Sequence, residues 1–105
     1  MELLPASVKK LLPNLHSTSE KNAEDILVPV KLFNPCGGQS WFLTEADFFS
    51  DLAFGYVTGM EQDEWGYISI RDLQEVRGPL GIGIERDLHR DPTTTAAEVV
   101  TGRVR

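Results

Sequence analysis

The stretch from Ile26 to Ser69 limits the fold more than any other part of the chain. It holds four short runs rich in aliphatic and aromatic residues: "ILVPVKLF" at 26–33, "SWFLTEAD" at 40–47, "LAFGYVTG" at 52–59 and "WGYIS" at 65–69. The first and third alternate at the two-residue period of a strand, and the second is rich in aromatic and β-branched types. Ile26, Val28, Val30 and Leu32 share one face of the first. Turns such as "NPCGG" and "EQDE" are too short for a crossover helix, so successive strands must run antiparallel. The expectation is a four-strand meander. Pro29 lacks an amide hydrogen, which puts the first run at a sheet edge or a bulge. Gly55, set among large aromatics, signals close packing by a neighbour.

The period changes outside this stretch. Residues 5–12 read as a short helix, with Pro5 in its first turn and Leu4, Val8, Leu11 and Leu12 on one face. Pro13 ends it. "SIRDLQEVRG" reads as a two-turn helix over 70–77, with Ser69 as N-cap, Asp72 three residues on, and Gly78 as a left-handed C-terminal residue. Residues 84–91 read as a last short strand that Pro92 ends. The fold class expected is α+β: a four- to five-stranded, mainly antiparallel sheet with two short helices on one face. A chain of 105 residues has the size of one domain and can bury a core without metal or disulfide help. That domain is expected over 1–92. Residues 93–105 are left as a C-terminal tail, either one helical turn from Thr95 or disordered.

The glycine-rich "RGPLGIGIERD" at 77–87 invites a phosphate-loop reading, which its residues refuse. A dinucleotide loop needs glycine at the sixth position, where Arg86 stands, and it must follow a strand. A P-loop needs lysine where Ile84 stands. The stretch is a turn leading into a strand.

Charge is unevenly placed. The net charge is −6, from 10 basic and 16 acidic residues. No Lys or Arg occurs between Lys31 and Arg71, an interval that holds Glu45, Asp47, Asp51, Glu61, Asp63 and Glu64. Those six acids equal the net charge, and the flanks balance. The middle of the chain therefore repels phosphates and attracts a basic partner. His16, Cys36 and His89 have no metal-ligand spacing, so no metal or cofactor is expected. The one cysteine excludes an internal disulfide, and no apolar run reaches the length of a membrane span. Both features point to a cytoplasmic setting. Arg77, Glu85, Arg86, Asp87 and His89, with Arg90, form the densest charged cluster. It reads either as an ion-pair network or as a small hydrolase site with Arg77 as an anion clamp.

The runs "LLPNLHST", "VKLFNP", "SWFLTEAD" and "FGYVTGMEQDEWGYISIRDLQEVRGPLGIGIERDLHRDP" resemble a bacterial family of small proteins of unknown function, about a hundred residues long. The resemblance covers residues 3–92, with 65–91 its most specific part. It implies a bacterial cytosolic setting and an accessory role on plasmids and integrative elements. It brings no activity, cofactor or catalytic residue.

The functional expectation is a non-enzymatic accessory protein that binds a partner with a basic surface, one form being an inhibitor of a defence nuclease. The binding residues expected are Asp51, Glu61, Asp63, Glu64 and Trp65, with Arg77, Glu85, Arg86 and Asp87 as a second group. A hydrolase built on the second group and a nucleic-acid binder using the scattered arginines are the alternatives; the acidic middle opposes the latter.

Overall fold

The computed structural model describes residues 2–105. Five strands form one antiparallel sheet in the order β4-β3-β2-β1-β5. These are β1 (Val30–Phe33), β2 (Ser40–Asp47), β3 (Leu52–Thr58), β4 (Glu64–Ser69) and β5 (Glu85–Arg86). The first four make the expected meander. Three short helices complete the α+β fold: α1 (Ala6–Lys9), α2 (Ile70–Glu75) and α3 (Ala96–Val100).

The register assigns each side chain to a face. One face carries Val30, Leu32, Trp41, Leu43, Ala46, Ala53 and Ile68, which pack with Leu3, Leu4 and Leu12 around α1 and with Ile70 and Leu73 of α2. This is the aliphatic core, and the two helices cover it as expected. The other face carries Phe42 and Tyr56, packed with Val28 and with Ala96 and Val99 of α3. β2, central in the sheet and covered on both sides, is buried from Trp41 to Ala46.

A bulge divides β2. Leu43 pairs with Gly55 but Glu45 pairs with Phe54, so Thr44 is an extra residue on that strand. Such an insertion turns the residues after it to the opposite face. Gly55 lies against the bulge. A Cβ built there would stand 2.1 Å from the Phe42 carbonyl oxygen. The close neighbour anticipated at Gly55 is therefore the backbone of β2.

Several expectations need correction. β1 begins at Val30, after Pro29, and is paired on both sides, so the proline marks a strand start instead of an edge. Ile26 and Val28 do not share a face with Val30 and Leu32. They pack with the Phe42 cluster across the sheet. The α1 helix stops at Lys9, and Leu11 is exposed. Gly78 has φ −93° and is not left-handed; Leu80 (φ 61°) and Gly81 (φ 75°) take that conformation instead. The α2 N-terminus is as read: the Ser69 hydroxyl accepts from the Asp72 amide at 3.2 Å. The 77–87 stretch is a turn entering β5, which is only two residues long because the chain turns away at Asp87.

Residues 93–105 do not form a detached tail. The Val28 amide donates to the Thr94 carbonyl at 2.7 Å, and the Ala96 amide to the Ile26 carbonyl at 2.8 Å. Thr95 then starts α3 through a capping box with Glu98, and Val99 is fully buried. The fold therefore runs past Pro92. The sequence cue was local (Thr95 and Glu98 at capping-box spacing), but the burial comes from a long-range pairing with 26–28.

Candidate functional site

β4 pairs with β3 alone and forms one edge of the sheet. Its side chains alternate: Trp65 and Tyr67 go to the aromatic face, Glu64, Gly66 and Ile68 to the aliphatic face. Glu64, Trp65 and Tyr67 are all exposed. An uncovered edge strand presents free backbone donors and acceptors to any chain that can pair with it.

A groove of about 820 Å³ follows this edge. It runs from Met60, Glu61 and Gln62 in the β3–β4 turn, past Trp41, Val57 and Trp65, to Asp72 and Leu73 of α2. Its lining holds three carboxylates, Glu61, Glu64 and Asp72, and no Lys or Arg. Among the described residues, none of the three forms a salt bridge. The other two predicted acids lie outside the groove and are paired. Asp51 meets Arg71 at 3.7 Å and Asp63 meets Arg105 at 3.6 Å. The structure thus brings Glu61, Glu64 and Trp65 together and adds Asp72, which the sequence reading had used only as a helix-capping residue.

A second cavity opens on the aromatic face. Glu45 lies at its floor, only 3% exposed. The bulge at Thr44 delivers it to this face, opposite Phe54. The His16 amide donates to Oε1 at 2.6 Å and the Thr18 amide to Oε2 at 2.9 Å, and the Thr18 hydroxyl also donates to Oε2. Burial alone would raise the pKa of this carboxyl. The Thr18 hydroxyl, the two amides and the nearby His16 ring together outweigh burial and hold it below the usual glutamate range. The walls are aromatic: Phe54 and Trp65 stack at 5.8 Å and 6°, while Tyr67 meets Phe54 edge-on at 5.2 Å and His16 at 6.1 Å. Sequence reasoning placed Glu45 on a strand beside Asp47 but missed this role. Asp47 instead accepts from the Phe49 amide and the Ser50 hydroxyl in the β2–β3 turn, which holds its carboxyl below the usual range.

The second predicted group does not converge. Arg77 donates to its neighbours' carbonyls, Gln74 at 2.8 Å and Val76 at 2.6 Å. Arg86 reaches the Leu3 carbonyl at 2.7 Å. Asp87 accepts from the His89 amide in a local turn. Arg77 and Glu85 share a depression with Glu2, Leu3 and Gln74. Among the described residues no ion pair links these side chains, and the arginines donate instead to backbone carbonyls. Arg90 acts alike: its Nε donates to the Val28 carbonyl at 3.1 Å while the guanidinium lies over the Phe42 ring. Burial lowers its pKa, against the opposing pull of Asp87, Asp91 and Glu98.

Among the described residues no three His, Cys, Asp or Glu side chains are grouped to hold a metal. No helix there is long and apolar enough to cross a membrane. A family model described as "Protein of unknown function (DUF2958)" matches residues 3–101. The chain belongs to this family. The match extends through α3, beyond the 3–92 span that the sequence motifs suggested, and so agrees with α3 being part of the fold. No curated protein and no solved structure matches the chain.

Proposed function

We propose that this member of the DUF2958 family is a non-enzymatic binding protein that takes up a basic, extended segment of another protein along β4. The free edge of β4, bordered by an acidic groove without a single base in its lining, carries this reading. Strand addition draws affinity from backbone hydrogen bonds and specificity from alternate side chains. Here alternate residues of the incoming strand meet Glu61, Glu64 and Asp72 on one side and the Trp65–Tyr67 surface on the other. The partner is basic because like charge would be repelled and opposite charge steered in. An accessory role on a mobile element, implied by the family resemblance, is compatible with such binding. Inhibition of a nuclease by phosphate mimicry is the weaker form, since Asp51 and Asp63 are already paired with arginines.

The test is fluorescence anisotropy with a peptide of alternating valine and lysine, at low and high salt. Binding should weaken as salt screens the groove. It should be lost in the Glu61→Lys, Glu64→Lys double variant, and a valine–glutamate peptide should not bind. Equal binding by both peptides, or an unchanged double variant, defeats the reading.

A further inference from the structure

We propose that the cavity above Glu45 is a binding site for an alkylammonium cation, one whose methyl groups rest on the aromatic walls while its charge faces the buried carboxylate. The inference goes beyond the groove, because a different acid carries it, with Trp65 and Tyr67 bordering both. The cavity, about 420 Å³, is lined by Phe54, Trp65, Tyr67 and His16 around Glu45. Phe54 and Trp65 lie almost parallel, and Tyr67 stands at 66° to Phe54, so the rings form a corner. The faces of such rings are negative and attract cations, most strongly where water is excluded.

Glu45 supplies what an aromatic corner alone lacks. It is more than nine-tenths buried, and its donors are all neutral groups: two amides and one hydroxyl. Among the described residues no salt bridge neutralises it. Oε1 accepts one hydrogen bond where Oε2 accepts two, leaving acceptor capacity on the Oε1 side. The hydrogen-bonded carboxylate thus keeps its charge beneath the aromatic walls, where a cation in the cavity can meet it. Lys21, exposed, is the only Lys or Arg in the lining and makes no salt bridge with Glu45. A compact hydrated ammonium of that kind suits solvent better than an aromatic corner. A methylated ammonium, large, weakly hydrated and apolar at its surface, suits the corner better.

The experiment titrates the full chain with choline and, separately, with neohexyl alcohol, its uncharged isostere, following the Trp65 indole and Tyr67 ring resonances by NMR. Saturable choline binding is expected, with the alcohol at least about tenfold weaker. Tyr67→Ala, at an exposed position that should not disturb folding, should weaken choline about tenfold. Glu45→Gln should do so too if it folds. Glu61→Lys with Glu64→Lys should leave choline binding unchanged, which separates this site from the groove. A trimethyllysine peptide that binds more tightly than choline marks a modified side chain as the source; an equal or weaker one marks a free cation. Absence of saturation, equal binding of the alcohol, or an unaffected Tyr67→Ala variant overturns the proposal.

Discussion

Replacing Glu45 by glutamine tests the account of the aromatic-face cavity at its root. The carboxylate ties the loop at His16 and Thr18 to the bulge of β2 through three donors. Glutamine keeps one oxygen. If that oxygen stays with Thr18, the new NH₂ group faces the His16 amide, donor against donor. One charge-assisted bond, worth about 1.5–3 kcal/mol, is then lost, and two others fall to neutral strength, about 0.5–1.5 kcal/mol each. Relief from burying a charge offsets part of this loss. The net expectation is a loss of about 2–4 kcal/mol, or a fall in Tm of roughly 10–20 °C for a domain of this size. Urea and thermal unfolding followed by circular dichroism measure it. Thr18→Val in a double-mutant cycle should show coupling of about 1 kcal/mol or more, because the two residues share one network. The pH dependence follows in sign. The folded carboxyl titrates below its unfolded value, so its contribution is full above about pH 5 and is lost as pH falls through the folded value. That acid-side loss should be absent in Glu45→Gln. A change in stability under about 0.5 kcal/mol, within the range of ordinary surface substitutions, would refute the reasoning.

Other expectations concern the frame around the site. Gly55→Ala places a methyl 2.1 Å from the Phe42 carbonyl oxygen, in backbone that cannot yield, and should cost more than about 3 kcal/mol in the same unfolding assays. Leu80→Asn should stabilise by about 0.5–1 kcal/mol in urea unfolding, since Leu80 is 98% exposed and held at φ 61°, a conformation asparagine tolerates. Thr95→Ala removes the α3 capping box and should cost about 1 kcal/mol by urea titration; truncation after Pro92 should do far more, because it exposes Val28, Phe42 and Tyr56.

The sequence was most legible where structure is local. The span of β2 and the start of α2 follow from aromatic and β-branched content and from the Ser69–Asp72 spacing, both short-range signals. The misreadings share a cause, which is pairing across long separations. Pro29 points β1 to an edge or a bulge, since nothing near it announces that Arg86 will pair with Leu32. Residues 93–105 looked like a tail because Thr94 and Ala96 find their partners at Ile26 and Val28. The acids of the groove were half legible. Composition located Glu61 and Glu64, but salt bridges to Arg71 and Arg105 removed Asp51 and Asp63. Charge patterning also misled at 77–90, since it pairs side chains with side chains, whereas Arg77, Arg86 and Arg90 turned to backbone carbonyls.

The extra residue in β2 has an effect far larger than its size. Were Thr44 instead to pair regularly with Phe54, strand parity would carry Glu45 through the sheet into the layer of Leu4, Leu43 and Ile70, an oily interior with nothing to solvate an anion. Thr44 would then stand opposite Phe54, where the carboxylate had been. The irregular pairing at mid-strand thus decides whether this acid faces the aromatic cavity or wrecks the hydrocarbon interior.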